Sequence, residues 1–274
     1  MSPLISNKDA ETKIHINFAH ANGFPSASYK KLFANLPSTH QVFALDKFAH
    51  NPAYPLVDNW DKQVDELINF VEQNNNGNEK VVALGHSFGA LISYMSVCRR
   101  PDLFSSLIML DPPLITGLAR YVFRFAKRNR LIDKVTPAGI TKLRKKKWHR
   151  DIDLHAYFSK KKLFTGFDPD CIQDYIEAVM EMHNDHWHLS FDVEVEANIF
   201  RTIPHNLPSY AGKLNTPSTL ITGKGTDVCV PALRKPFLRA NPQIKHIEFA
   251  KGKHMFPLEY PVEVAELIAS ILPQ

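Results

Sequence analysis

A Gly-x-Ser-x-Gly pentapeptide lies between an apolar run and a helical pattern, an arrangement typical of a strand–turn–helix unit. The run Val81–Leu84 is typical of a buried strand, Gly85–Gly89 spells GHSFG, and a helical pattern continues to Arg100. A serine at such a junction lies on a tight, strained turn that exposes its hydroxyl. Small residues on either side let the strand and the helix approach closely. The pattern predicts Ser87 as a nucleophile, and a serine that caps an inert turn is the alternative.

Short apolar runs alternate with helical patterns in both terminal parts of the chain. The alternation predicts a mostly parallel, twisted sheet with helices on both faces. The interval 113–215 breaks it, with helical patterns and no strong strand run, so we expect a helical cap inserted into a core formed by 1–112 and 216–274. The strand candidates are 14–20, 41–46, 80–85, 107–111, 218–223 and 244–249, and the helical patterns are 58–72, 88–100, 118–130, 171–183 and 262–271.

A serine hydroxyl needs a base to act as a nucleophile at neutral pH, and the chain has 13 histidines. In a strand–turn–helix arrangement the partners follow in the order serine, acid, histidine. Asp227 follows a strand candidate through a Gly-containing turn, and only His246 and His254 come after it. His246 lies inside a strand pattern, whereas His254 lies in a loop that can face Ser87. We therefore expect His254 to be the base and Asp227 to be the acid that orients it.

Asp111 is the rival acid. It also ends a strand candidate, directly before Pro112 and Pro113, and some arrangements take the acid from one strand earlier. A turn residue without a chemical role is the other interpretation of Asp111.

Two backbone N–H groups are expected to stabilise the oxyanion. The N–H of Phe88 lies at a helix start, where negative charge is favoured. The second donor should come from the loop after the first strand, 20–25, where Gly23 permits a sharp turn and the N–H of Phe24 points at the oxyanion. We expect His20 to brace this loop by hydrogen bonding.

These motifs, in this order and spacing, resemble those of the alpha/beta-hydrolase superfamily. The resemblance covers about 14–111 and 216–274, and the family's helical cap corresponds to 113–215. It implies Ser87 as nucleophile, His254 as base, Asp227 as acid, and the N–H groups of Phe24 and Phe88 as oxyanion hole. A serine at the nucleophile position disfavours the haloalkane dehalogenase and epoxide hydrolase branches, which use aspartate.

The function expected on this basis is that of a serine hydrolase that cleaves a carboxylic ester through an acyl-enzyme, with no organic cofactor and no metal. Hydrolysis of a carbon–carbon bond and cofactor-free perhydrolysis are alternatives within the fold. Binding of a small molecule without turnover is the non-enzymatic alternative. The partner expected is a small acyl substrate, and the sequence leaves the oligomeric state open.

The positive charge is confined to one segment. The chain has a net charge of +5, but 120–150 alone carries +11, so the remainder carries −6. The pattern 118–130 is amphipathic, with Leu118, Tyr121, Val122 and Phe125 on one side and basic residues on the other. A solvated cap face, contact with an anionic substrate, and weak contact with an anionic membrane surface are the open interpretations. Without a recognisable motif, nucleic-acid binding is disfavoured.

Further features bear on location and metals. The three cysteines, Cys98, Cys171 and Cys229, indicate no disulfide framework and no zinc site. The N-terminus lacks the apolar run of a secretory signal, and no stretch approaches about 20 apolar residues, so we expect a cytoplasmic protein. The segment 183–188 is rich in histidine, but its residues are crowded without a distant partner, and a cap edge is the favoured interpretation over a metal site.

Overall fold

The computed structural model describes residues 13–75 and 79–272. The strands are β1 (Ile14–Ala19), β2 (His40–Ala44), β3 (Val81–His86), β4 (Phe104–Leu110), β5 (Lys147–His149), β6 (Met180–His183), β7 (His186–Leu189), β8 (Ser218–Gly223) and β9 (Ile244–Phe249). The helices are α1 (Lys30–Ala34), α2 (Asp61–Asn74), α3 (Phe88–Arg99), α4 (Ala119–Arg128), α5 (Ile132–Val135), α6 (Ala138–Thr141), α7 (Leu154–Ser159), α8 (Pro169–Val179), α9 (Val193–Arg201), α10 (Pro231–Ala240), α11 (Phe256–Glu259) and α12 (Pro261–Ile271). Short 3-10 helices cover Ser26–Tyr29, Asp58–Trp60, Lys162–Phe164 and Leu207–Tyr210.

A six-stranded sheet forms the body of the molecule, in the order β2-β1-β3-β4-β8-β9. Every neighbouring pair in it is parallel. The carboxyl ends of β3, β4 and β8 therefore lie side by side at one edge, where open α/β sheets form their sites. The predicted α/β fold with a mostly parallel sheet is confirmed.

The sheet is covered on both faces because its strands are apolar on both sides. Successive side chains of a strand point to opposite faces. In β3, Val82 and Leu84 accordingly join one hydrophobic cluster, together with residues of α12 and of the interval 113–215. Val81 and Ala83 join the other cluster, with residues of α2 and α3.

The sequence predicted a helical interval between β4 and β8, but the structure also contains strands there. The short strands β5, β6 and β7 form an antiparallel sheet in the order β5-β7-β6. The pattern predicted as one helix over 171–183 divides into α8 and then β6. We refer to residues 113–215 as the insert.

The start of α2 also differs from the prediction. The sequence predicted a helical pattern from residue 58, but Asn59 and Trp60 both have a positive φ of about 60°, so α2 begins only at Asp61. The left-handed turn places the Trp60 ring in the core, where it packs edge-on against Phe88.

No helix within 13–75 and 79–272 is long and apolar enough to cross a membrane. The three cysteines are free and buried.

Candidate active site

Ser87 lies on a strained turn between β3 and α3. Its φ of 54° and ψ of −117° are uncommon for a residue with a side chain, and its N–H donates to the carbonyl of Leu110 at 2.8 Å. Glycine is required on both sides of the turn. A Cβ on Gly89 would lie 2.0 Å from the carbonyl oxygen of Ala19, and one on Gly85 would lie 2.4 Å from that of Gly89. The pentapeptide therefore folds as the sequence predicted.

The hydroxyl of Ser87 lies at one end of a three-residue hydrogen-bonded chain. The Nε2 atom of His254 is 2.9 Å from the Ser87 Oγ, and the Nδ1 atom is 2.7 Å from the Oδ2 atom of Asp111. The side chain of His254 is 19% exposed and that of Asp111 is fully buried. A base, its orienting acid and a hydroxyl thus have the mutual geometry that nucleophilic catalysis needs.

The prediction of Asp227 as the acid is corrected by this geometry, which brings Asp111 to His254 instead. Both carboxylates follow strands that are neighbours in the sheet, β4 and β8. Asp111 comes directly after β4, and its φ of 45° belongs to a tight turn in which its side chain is buried beside the His254 ring. Asp227 lies further from the end of β8, on an exposed part of its turn.

The turn after β8 nevertheless supplies a residue to the site. The hydroxyl of Thr226 donates to the Asp111 Oδ2 atom at 2.6 Å and accepts hydrogen bonds from the N–H groups of Val228 and Cys229. Because those two N–H groups fix the hydroxyl as their acceptor, its own proton is directed at the Asp111 carboxylate. The sequence did not single out Thr226, whose only signal was its place beside Asp227.

The loop after β1 lies next to the start of α3, since the N–H of Gly89 donates to the carbonyl of His20 at 3.1 Å. His20 braces the loop as expected. Its Nδ1 donates to the Ala21 carbonyl at 2.8 Å, and its Nε2 accepts from the N–H of Phe48 at 3.2 Å. Burial lowers the pKa of His20 to about 4, so the ring is neutral near pH 7.

The N–H of Phe24, predicted as the oxyanion donor of this loop, is not free in the structure. The N–H of Phe24 donates to the Ala21 carbonyl at 3.0 Å and is therefore engaged within the turn. The N–H groups of Asn22, Gly23 and Phe88 have no hydrogen-bond partner in the part of the chain that the structure describes. Phe88 thus keeps the free N–H that was expected of it, at the first residue of α3.

A second buried chain of hydrogen bonds runs behind the site. The N–H of Ala21 donates to the Tyr29 hydroxyl at 3.3 Å, and that hydroxyl lies 2.7 Å from the His86 Nδ1. The His86 Nε2 lies 2.9 Å from the main-chain carbonyl of His254. A carbonyl only accepts, so the ring proton of neutral His86 is on Nε2, and Tyr29 donates to Nδ1. Burial lowers the pKa of His86 to about 3, which keeps the ring neutral.

The insert packs directly onto the loop after β1. The amide of Asn22 donates to the Glu196 carbonyl at 2.9 Å, and the Phe24 ring lies 5.0 Å from the Tyr175 ring. Glu196 forms a largely buried ion pair with Arg144 at 3.0 Å. Burial raises the pKa of Glu196 and the Arg144 guanidinium opposes that shift. A Cβ on Gly23 would lie 2.5 Å from a carboxylate oxygen of Glu196, so the loop and the insert are in close contact.

The histidine-rich segment 183–188 forms the hairpin between β6 and β7, at the surface. His183 is exposed and pairs with Glu181. Across 13–75 and 79–272, the structure contains no cluster of three or more histidine, cysteine, aspartate or glutamate side chains suited to a metal ion.

Comparisons with known proteins agree with the fold. A family described as alpha/beta hydrolase matches residues 18–267, so the chain belongs to the alpha/beta hydrolase family. A monoglyceride lipase homolog from Monkeypox virus is 28% identical over 250 residues, which cover 87% of this chain and 81% of that protein.

Solved structures show the same fold at low identity. E-2-(acetamidomethylene)succinate hydrolase superposes with a TM-score of 0.75 at 16% identity, over 94% of this chain and 91% of that one. The thioesterase domain from the curacin biosynthetic pathway superposes with a TM-score of 0.72 at 13% identity, over 95% and 92%. Together with the family, these relatives support a hydrolase.

Proposed function

We propose that this protein is a serine hydrolase that cleaves carboxylic esters through an acyl-enzyme. The observation that carries the proposal is the hydrogen-bonded chain from Ser87 through His254 to Asp111 at a strained strand-to-helix turn. A binder that only holds a ligand has no need of a nucleophile, a base and an orienting acid in register. The position of the insert over the loop after β1 supports its assignment as a cap.

The reaction follows from the positions of the donors and acceptors. Ser87 attacks the ester carbonyl while the Nε2 of His254 takes the hydroxyl proton. Asp111 accepts from Nδ1–H, holds the ring and stabilises the imidazolium. The tetrahedral oxyanion is assigned to the N–H groups of Phe88 and Asn22. His254 returns the proton to the departing alcohol and then activates the water that cleaves the acyl-enzyme.

The substrate class proposed is a monoacylglycerol or a related long-chain ester. The relative named as a monoglyceride lipase homolog, which aligns with most of this chain, supports the choice. The loop after β1 also meets the insert through apolar side chains, since the ring of Phe24 packs with the rings of Phe164, Phe167 and Tyr175 at centroid distances of up to 6.0 Å.

Labelling with a fluorophosphonate probe tests the nucleophile. The native protein should be labelled, Ser87→Ala should not, and Ser270→Ala, which removes an exposed hydroxyl, should be labelled like the native protein. Absence of labelling in folded native protein would leave only the binding interpretation.

Kinetics on p-nitrophenyl esters of graded chain length and on monoacylglycerol micelles test the substrate class. Turnover should rise with chain length and fall by several orders of magnitude in His254→Ala. Labelling without turnover of any ester, combined with cleavage of a diketone, would reassign the protein to carbon–carbon bond hydrolysis.

A further inference from the structure

Helix α4 of the insert turns an apolar face to the solvent. The exposed fractions of Leu118, Tyr121, Val122 and Phe125 are 82%, 53%, 56% and 61%. These residues are spaced by three or four positions, so they form one stripe along the helix and its preceding turn. Most amphipathic helices of globular proteins bury such a stripe, and this one does not.

A different side of α4 holds the helix to the body. Ala126 is buried, and Ala119 and Phe123 pack against the cluster beneath the sheet. At about 100° per residue these three positions lie roughly a third of a turn from the exposed stripe. The residues of the exposed stripe therefore do not take part in packing α4 against the body.

The third side of α4 is basic. Arg120, Arg124 and Arg128 follow one another at spacings of four, and α4 has no acidic residue. In the described part of the chain, none of the three forms a salt bridge. The guanidinium of Arg120 lies over the Tyr121 ring, 4.4 Å from its centroid, at the border between the basic and apolar sides.

We propose that α4 docks on an anionic lipid surface, an inference that extends the proposed action on lipid esters. The acyl region of a bilayer takes up the apolar stripe, and lipid phosphates and carboxylates pair with the arginine row. The ten residues of α4 span about 15 Å, so the helix lies in the plane of the surface and does not cross it.

Charge favours a membrane over a second copy of this chain as the occupant. A self-complementary contact would bring the arginine rows of two copies near each other, with no acidic residue on α4 to pair with them. An anionic leaflet supplies negative charge next to an apolar interior, which matches both sides of the helix at once.

The docking helix is close to the site along the chain. Only 112–118 separates the acid Asp111 from α4. The segment is tied to the body through the hydroxyl of Thr116, which donates to the Leu233 carbonyl. The chain therefore runs from the end of β4, where Asp111 meets His254, into the docking helix within seven residues.

Vesicle sedimentation with Ser87→Ala tests the proposal without turnover. This variant should bind vesicles of phosphatidylcholine with phosphatidylserine roughly tenfold or more tightly than vesicles of phosphatidylcholine alone, and less tightly as salt increases. Adding Val122→Asp and Phe125→Asp should reduce binding at least about tenfold. Adding Leu163→Asp, which alters a half-exposed leucine elsewhere on the insert, should not.

Charge-reversal variants test whether vesicle binding depends on the arginine row of α4 or only on the total positive charge of the protein. Arg124→Glu with Arg128→Glu should lower binding to the anionic vesicles, whereas Arg239→Glu on α10 should not. Equal binding of all variants would overturn the proposal. So would a concentration-dependent dimer in sedimentation velocity that Val122→Asp with Phe125→Asp abolishes, in the absence of vesicle binding.

Measurements of ester hydrolysis test the docking surface and the proposed esterase activity separately. With the serine intact, Val122→Asp with Phe125→Asp should lower hydrolysis of monoacylglycerol in anionic vesicles about tenfold and leave hydrolysis of soluble p-nitrophenyl butyrate unchanged. Vesicle binding without hydrolysis of any ester would refute the esterase and support the docking surface. Hydrolysis that depends on neither vesicle charge nor α4 would refute the docking surface and support the esterase.

Discussion

The ring of His86 holds the main chain of His254: its Nε2–H donates to the His254 carbonyl at 2.9 Å. His86 is the residue before the proposed nucleophile, and it is held in turn by Tyr29, whose hydroxyl also accepts the N–H of Ala21. One buried chain of hydrogen bonds therefore connects the loop after β1, the turn between β3 and α3, and the loop that carries His254. We infer that Tyr29 and His86 are positioning residues, which act through His254 and the oxyanion loop.

Tyr29→Phe is expected to lower kcat by about tenfold while changing KM little, because it releases His86 and the Ala21 N–H without touching substrate. It also leaves two buried polar groups unpaired, so the free energy of unfolding should fall by about 1–3 kcal/mol. Steady-state kinetics and urea unfolding provide both numbers.

Tyr94→Phe is the matched control. Tyr94 is equally buried, lies on α3 and donates to the Oδ1 of Asn241 at 3.1 Å, so its loss should lower stability and leave kcat unchanged. Equal kcat values for the two variants would show that the Tyr29 chain is purely structural.

The two candidate acids can be ranked by kinetics. Asp111→Asn should lower kcat by about 10³–10⁴-fold, because an amide at this position no longer stabilises the imidazolium. Asp227→Asn changes an exposed turn residue and should stay within about twofold of the native rate. The measurement is kcat on p-nitrophenyl butyrate at neutral pH. If Asp227→Asn proved the more damaging change, the acid would have to be reassigned.

The difference between these acids shows what the sequence can and cannot predict. The pentapeptide Gly85–Gly89 is a local motif, and only two histidines follow the last candidate acid, so Ser87 and His254 could be predicted directly. Asp111 and Asp227 both follow strands, and β4 and β8 are neighbours. Which carboxylate reaches the histidine depends on the turn geometry after each strand, which no spacing in the sequence encodes.

Local geometry also explains the other differences between the predictions from sequence and the structure. In the loop after β1, the choice between the N–H groups of Asn22 and Phe24 depends on which one closes the turn onto Ala21. In the insert, β5, β6 and β7 are only three or four residues long, so the alternation of polar and apolar residues in them is too brief to distinguish strands from helices. For α4 the helical period was evident from the sequence, but periodicity does not say which face meets the core.

Thr226 should tune the acid rather than merely support its loop. Thr226→Val removes a hydrogen bond that holds the Asp111 carboxylate in place, and we expect kcat to fall by about tenfold because His254 is then less well oriented toward Ser87. Without that donor, Asp111 stabilises the His254 imidazolium more strongly. The acidic limb of the kcat/KM profile should therefore move to higher pH. The measurement is a pH–rate profile on a soluble ester.

Two variants serve as comparisons for Thr226→Val. Thr226→Ser keeps the hydroxyl and should restore both the rate and the profile. Thr136→Val removes the hydroxyl that bonds the Ile132 carbonyl in the insert, and it should alter neither. A profile of Thr226→Val that coincides with that of Thr226→Ser would contradict the tuning role.

Acid should destabilise the protein through its buried histidines. The pKa of His86 is about 3 in the folded chain against an ordinary value of 6.5, because burial disfavours the charged ring. The unfolded chain therefore binds more protons between these values, and the contribution of His86 to stability is complete above pH 6.5 and is lost as pH falls toward 3. His20, with a pKa of about 4, acts in the same direction. Glu66, whose pKa burial raises to about 7, acts in the opposite direction.

Comparison of the native protein with His86→Gln isolates the contribution of His86, since His20 and Glu66 are common to both. The variant should be less stable at about pH 7.5, and the gap should narrow by about 1 kcal/mol at about pH 5.5, as measured by urea unfolding. His149→Gln alters an exposed histidine and should follow the native curve. Parallel curves for the native protein and His86→Gln would mean that the His86 ring takes up a proton as easily in the folded chain as in the unfolded one, contrary to its burial between Tyr29 and the His254 carbonyl.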